Sequence, residues 1–369
     1  MQWTLHELGF LPNHDPVASL DEPMFQGIET LAADLPRLVH DRAFRSESAK
    51  SLADAIDWDA VMSSQSDAAI EHLFMRFSYF ASAYVHSPGL PSVNRLPGYL
   101  AGPLVRLAQH VDRPPILSYA SYCLHNWRRL DPAKPVALGN IALLQNFSTP
   151  KDGKEDEDWF ILVHVDIEAR AGAALRAVDR MKDALARKDA AAIETLLETT
   201  AGSLHQMNAT MARMIEGCSP DVYFRKVRPY IFGFTDVVYE GCFGDVPQSY
   251  RGETGAQSSI VPTMLVALGI RHKNSLLTKH LDDMQTYMPT PHRQFIRAQV
   301  SVRDFVVSNP SLKEWYNACV AELIAFRTKH FEYAVNYIEK KVDNPIATGG
   351  TPYVPWLRQL IEETKEFYV

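Results

Sequence analysis

His330, in the stretch VAELIAFRTKHFEYAVNYIEKK, has the surroundings of a residue that does chemistry. With 3.6 residues per helical turn, Leu323, Phe326, Ala334 and Tyr337 fall near its face, while Lys329, Glu332 and Glu339 point away. A neutral imidazole in an apolar surround suits an axial haem ligand. A satisfied core histidine fits the same pattern, and periodicity does not choose between the two. His164, in DWFILVHVDIEARAG, shares a helical face with Phe160 and Glu168. It reads either as a core histidine bonded to Glu168 or as a polar group set over a hydrophobic pocket. Arg228 follows Phe224 by one turn in DVYFRKVRPYIFGF, which puts a ring and a guanidinium on one face. Such a pair suits an amino acid, with a bidentate grip on the carboxylate and an apolar wall for the side chain. A surface arginine is the plainer reading.

Other motifs mainly exclude. The small-residue stretches RGETGAQSS (251–259) and ATGGT (347–351) could present backbone N–H groups to an anion, or could be simple turns. Neither carries a P-loop lysine or a GxGxxG pattern, and the chain has no HExxH and no GxSxG elbow. Cys123, Cys218, Cys242 and Cys319 lie far apart without metal-ligand spacing and read as free thiols of a reducing compartment.

The elements that must hold these residues are helical. Apolar spacing over 66–85 predicts a buried helix, and an apolar segment spans 116–127. The Ala-rich run 159–187 predicts one long helix interrupted only by Gly172, followed by another over 190–216. An aromatic-rich segment covers 223–240, a helix starts near Val261, and 311–341 forms a long amphipathic helix before a short C-terminal one. No alternating strand pattern or repeat stands out, so the fold class is all-α. The polar stretch STPKDGKEDED (148–158) is the best candidate for a domain boundary or exposed linker. It divides the chain into a smaller N-terminal, mainly helical part over 1–147 and a large helical part over 159–369.

A hydrophobic content of 46% with 22% charged residues is that of an ordinary globular protein. The formal charge of -7 argues against a nucleic-acid partner. No run reaches the roughly 18 apolar residues of a membrane span, and MQWTLHELGF lacks the features of a secretory signal. A cytoplasmic protein acting on a small molecule is the expectation; the oligomeric state is not legible.

In order along the chain, LGFLPNHDP, PPILSYA, NW-RR-DP, WFILVHVDIEA, FRKVRPYIFGF, VYEG, GAQSS, YMPTPHRQF, FRTKHFEYAVNYI and ATGGT resemble the indoleamine 2,3-dioxygenase family. The resemblance implies a large helical haem-binding domain with the small N-terminal domain covering the distal pocket. The cofactor would be haem b, active in the ferrous form, with O2 as co-substrate. It implies His330 as the proximal iron ligand and Arg327, about one turn earlier, as a haem-side contact. Tyr119, Tyr122, Phe160, Tyr223 and Phe224 would form the aromatic pocket, and Arg228 would grip the substrate carboxylate. Thr254 and Gly255 would line the pocket near the haem edge, and Thr348 would close over the substrate ammonium. The implied reaction opens the indole C2–C3 bond of L-tryptophan or a related indoleamine, giving N-formylkynurenine.

Two departures from the family pattern stand out. His164 replaces the serine usual in animal members; the related tryptophan 2,3-dioxygenases set a distal histidine against the indole N–H, which implies a catalytic place for His164. Leu265 stands where an acidic partner for Arg327 is expected, and Tyr122 replaces a smaller residue. The competing readings are a haem-dependent monooxygenase acting on tryptophan or a substituted indole in biosynthesis, and a non-catalytic haem-binding sensor.

Overall fold

The computed structural model describes residues 3–52, 56–341 and 353–369. Thr348 and the rest of the ATGGT stretch lie outside the described residues.

Five helices open the chain: α1 (Gln26–His40), α2 (Phe44–Ser51), α3 (Trp58–Ser64), α4 (Asp67–Val85) and α5 (Gly98–Val111). The long α6 (Lys154–Ala186) and α7 (Ala190–Ala212) follow, then the short α8 (Met214–Gly217) and α9 (Pro220–Val222). After an irregular stretch come α10 (Ile260–Ala267), α11 (Leu276–Gln285), α12 (Thr290–Arg297), α13 (Arg303–Ser308), α14 (Lys313–Tyr337) and α15 (Tyr353–Lys365). The all-α expectation holds, and the helices expected over 66–85, 159–187, 190–216 and 311–341 all form.

Ser66 starts α4 by accepting a bond from the Ala69 N–H, and Asp189 starts α7 in the same way through Ala192. α4 is buried on every side, from Ile70 to Ala83, with only Glu71 partly open. α6 belongs to two hydrophobic clusters. Ile161 and Val165 pack into one built largely by residues 11–147, and Val163, Ile167, Leu175 and Val178 pack into one that reaches to Tyr337. One helix therefore carries residues of both cores, and His164 stands on it between them.

Short strands are present that the sequence pattern did not announce: β1 (Arg95–Leu96), β2 (Trp127–Arg129), β3 (Ile141–Leu143), β4 (Phe234–Tyr239) and β5 (Gln248–Tyr250). β1 runs parallel to β4, β4 is antiparallel to β5, and β2 to β3. Elements of two to six residues are too short to display alternation. The charged 148–158 stretch is only partly exposed. Glu157 is fully buried and accepts the backbone N–H groups of Phe147 at 2.9 and 3.1 Å and of Ser148 at 2.9 Å. Charge-rich composition hid this anchor. No helix among the described residues is long and apolar enough to cross a membrane.

The one glycine inside α6 has a structural reason. The N-terminal segment crosses the helix at Gly172, and a Cβ there would lie 1.9 Å from the Glu7 carbonyl oxygen. Backbone on both sides leaves no flexible side chain to move aside. Gly172→Ala is expected to lower the unfolding free energy by about 1–3 kcal/mol, the usual cost of overpacking, read as a lower urea midpoint at unchanged slope.

Candidate functional site

Both segments that bring aromatic residues to the site leave regular α geometry. Residues Ala120–Leu124 and Tyr223–Val227 form wide π turns, closed by bonds from the His125 N–H to the Ala120 carbonyl and from the Arg228 N–H to the Tyr223 carbonyl. A π turn inserts an extra residue per turn and re-aims its side chains, and such turns gather at functional sites. Tyr119 immediately precedes the first and Tyr223 opens the second.

They face a cavity of about 450 Å3, within the range of roughly 300–1,000 Å3 usual for small-molecule and cofactor sites. Of the residues expected from the sequence, Tyr119, Phe160, His164, Tyr223, Thr254, Gly255, Arg327 and His330 line it together. Tyr122, Phe224 and Arg228 do not. Tyr122 is fully buried, its ring 6.5 Å from Phe160 and 5.9 Å from Tyr79. The Arg228 guanidinium is buried over the rings of Phe224 at 5.5 Å and Phe232 at 4.5 Å. The shared face expected for Phe224 and Arg228 is thus formed.

α14 presents Phe326, His330, Ala334 and Tyr337 to the cavity, the stripe its periodicity predicted. His330 lines the cavity with an exposed side chain. The protein packed around that side chain, with His164 nearby, lowers its imidazole to about 4, so it is neutral at physiological pH. His164 is also held neutral, its value lowered by burial against the opposing effect of its bond to Phe160. Its Nδ1 lies 2.7 Å from the Phe160 carbonyl oxygen. A carbonyl can only accept, so Nδ1 carries the proton, and the neutral ring is left with an unprotonated Nε2. His164 is therefore not bonded to Glu168.

Glu168 has other partners. Its Oε1 accepts from the Tyr119 hydroxyl at 2.9 Å and the Ser258 hydroxyl at 2.7 Å. Oε2 has no hydrogen-bond partner among the described residues. Burial raises this carboxyl to about 7. Glu253, beside Thr254 on the cavity wall, is raised by burial to about 8. Sequence reasoning passed over it because its loop was read for small residues. It also missed His272 and His280, which line the cavity from the chain on either side of Leu276, where no apolar stripe singles them out.

The donor set fits one kind of metal cofactor. Among the described residues no group of three or more histidine, cysteine, aspartate or glutamate side chains could hold a bare ion. A neutral imidazole on an aromatic-walled cavity instead suits an iron whose other ligands come with a macrocycle.

A helical protein with an aromatic-walled, histidine-bearing cavity suited to a macrocyclic iron cofactor is the class that fold and site define. The family model for indoleamine 2,3-dioxygenase matches residues 2–346. Indoleamine 2,3-dioxygenase 1 of Rattus norvegicus is 33% identical over 79% of this chain and 78% of its own length. That of Mus musculus is 30% identical over 98% and 93%, and 6-hydroxytryptophan 2,3-dioxygenase of Fusarium equiseti is 28% identical over 89% and 82%. The chain belongs to the indoleamine 2,3-dioxygenase family and is a haem-dependent oxidoreductase of the dioxygenase type.

The buried carboxyls give the haem-free chain a distinct pH response. A carboxyl with a raised folded value binds its proton more tightly when folded, so its contribution is complete below about 4.5 and is lost as pH rises through about 7 for Glu168 and about 8 for Glu253. The buried histidines act oppositely, but their window ends at their ordinary value of 6.5. Unfolding free energy is therefore expected to fall between pH 6.5 and 8. Denaturant titrations should show this, and Glu253→Gln should flatten the upper part of the curve.

Proposed function

We propose that this chain inserts both atoms of O2 across the indole C2–C3 bond of L-tryptophan or a close relative, giving N-formylkynurenine. The observation that carries the reading is the pair of neutral histidines, His330 and His164, on one aromatic-walled cavity. His330 would ligate the iron of haem b as the proximal ligand, with Arg327 as a second contact at the cofactor's edge. Bound ferrous haem supplies the oxygen chemistry. The reaction needs no outside reductant, because both oxygen atoms end in the product as the C2–C3 bond breaks.

The chain's own residues would bind, orient and keep water out. Phe160, Tyr119 and Tyr223 form an apolar wall for the indole, with Tyr122 packed against Phe160 and Phe224 against Arg228. Phe160 lies 4.7 Å from both His164 and Tyr223 between ring centroids, so the substrate-side ring contacts are continuous. Arg228, which does not line the cavity, is assigned to the substrate carboxylate from the motif, since an unpaired charge in such a site is costly. Thr254 and Gly255 line the cavity and would lie near the haem edge, and Thr348 is assigned to the ammonium from the motif alone. The smaller N-terminal part over 1–147, which supplies Tyr119 to the cavity wall, would cover the distal side.

His164 would act as an acceptor. Its unprotonated Nε2 can take the indole N–H hydrogen bond, orienting the ring and receiving partial positive charge from the nitrogen as the ring is attacked. A substrate methylated on that nitrogen has no hydrogen to offer.

Anaerobic reduction of haem-reconstituted protein, followed by L-tryptophan and O2, should give a product heavier by two oxygen atoms. His330→Ala should lose the haem absorption spectrum and the product together. A product heavier by one oxygen atom would instead indicate a monooxygenase, and retained haem without turnover a sensor. His164→Ser should narrow the preference for tryptophan over 1-methyltryptophan by roughly two- to tenfold, the worth of one hydrogen bond of ~0.5–1.5 kcal/mol. An unchanged ratio of kcat/KM values would remove His164 from the indole nitrogen.

A further inference from the structure

We propose that Glu363, acting through His272, is the positioning residue for Arg327, and that the guanidinium so fixed holds a carboxylate at the edge of the bound haem. This rests on the haem reading above but concerns residues that nothing in the family pattern assigns. The expected acidic neighbour of Arg327 is missing, since Leu265 occupies its position on the cavity wall. Arg327 is nevertheless buried, at 7% exposure, and lines the same cavity.

Its hydrogen bonds show how the cation is held. Nη1 donates to the Leu360 carbonyl at 2.8 Å and to the Thr364 hydroxyl, and Nη2 lies 3.0 Å from His272 Nε2. A guanidinium has only donors, so His272 Nε2 must accept. The imidazole proton is then on Nδ1, which lies 2.8 Å from the Glu363 carboxylate. Glu363 is itself fixed by the Gln359 amide at 2.8 Å and the Lys273 N–H at 3.4 Å. The network thus has one polarity, from guanidinium through imidazole to carboxylate.

Placing the acid one imidazole away changes what the guanidinium can do. A carboxylate in direct contact would take up most of its charge. Here every hydrogen-bond partner that touches Arg327 among the described residues is neutral, so a buried cation faces the cavity with its countercharge held back. The complement of that arrangement is an anion in the cavity, and the propionate carboxylates of haem b supply one. His280 and Thr278 line the cavity as well, and the Nδ1 atom of His280 has no partner among the described residues. Glu363, Thr364 and Leu360 all belong to α15, so the same bonds fasten the C-terminal helix to the helix that carries His330.

The test is haem loss from the ferric holoprotein to an excess of a haem-scavenging apoprotein, followed by Soret absorbance. Glu363→Gln, which keeps shape and removes charge, should speed loss roughly fivefold or more, in keeping with the strength of charge-assisted contacts. The haem-free chain should be destabilised in Glu363→Gln by clearly less than the change in haem loss. Should Glu363→Gln fail to fold, His272→Leu is read in the same way. Unchanged loss rates, or faster loss matched by an equal destabilisation of the haem-free chain, would overturn the assignment. A wild-type chain that retains no haem would instead overturn the haem reading on which it stands.

Discussion

Desolvation by the protein packed around one cavity sets the chemistry of the groups on it. It lowers His330 to about 4 and holds His164 neutral, and only a neutral imidazole has a lone pair for a metal or for an indole N–H. Burial likewise raises Glu253 on the cavity wall to about 8, and Glu168, bonded to Tyr119, to about 7. The fold achieves this with aromatic residues drawn from three separate segments, around Tyr119, Phe160 and Tyr223. α6 runs between two hydrophobic clusters, so His164 approaches the cavity from a backbone that is packed on both sides.

Polar groups in such a place need partners, and the partners decide tautomers. His164 gives its proton to a carbonyl four residues back on its own helix, so its tautomer depends on helix geometry and on no other element. His272 is fixed differently, between a donor that cannot accept and a carboxylate that can. Two histidines on one cavity thus end with the same protonated nitrogen for unrelated reasons. Each presents Nε2 as an acceptor, one assigned to the substrate and the other engaged by Arg327.

Much of this was legible in the sequence because helices of 19 to 33 residues repeat their apolar spacing often enough to be read. α4, α6, α7 and α14 fall where that spacing puts them, and the stripe Phe326, His330, Ala334 and Tyr337 lies on the cavity as predicted. The ordered motifs gave the family. What escaped was set by contacts between distant segments or by backbone departures. The π turns after Tyr119 and at Tyr223 leave no compositional mark. Glu157 is buried inside a run of exposed-looking charge. The countercharge for Arg327 comes from His272 and Glu363, 55 residues before it and 36 after, and no local rule could have paired them after Leu265 removed the expected acid.

The placement of α15 has a consequence for biosynthesis. Trp356, Leu357 and Leu360 form part of the cavity wall, yet they are translated after every other wall element. While the ribosome is still adding residues beyond His330, the chain can collapse around α6 and α7 but cannot enclose a ligand. The N-terminal segment that meets Gly172 likewise waits for some 160 further residues, a long-range contact of the kind that slows folding. Enclosure of the cofactor is therefore a late event in folding. The nascent protein passes through a stage in which its aromatic cavity wall is formed but open, and in that interval the supply of cofactor competes with self-association.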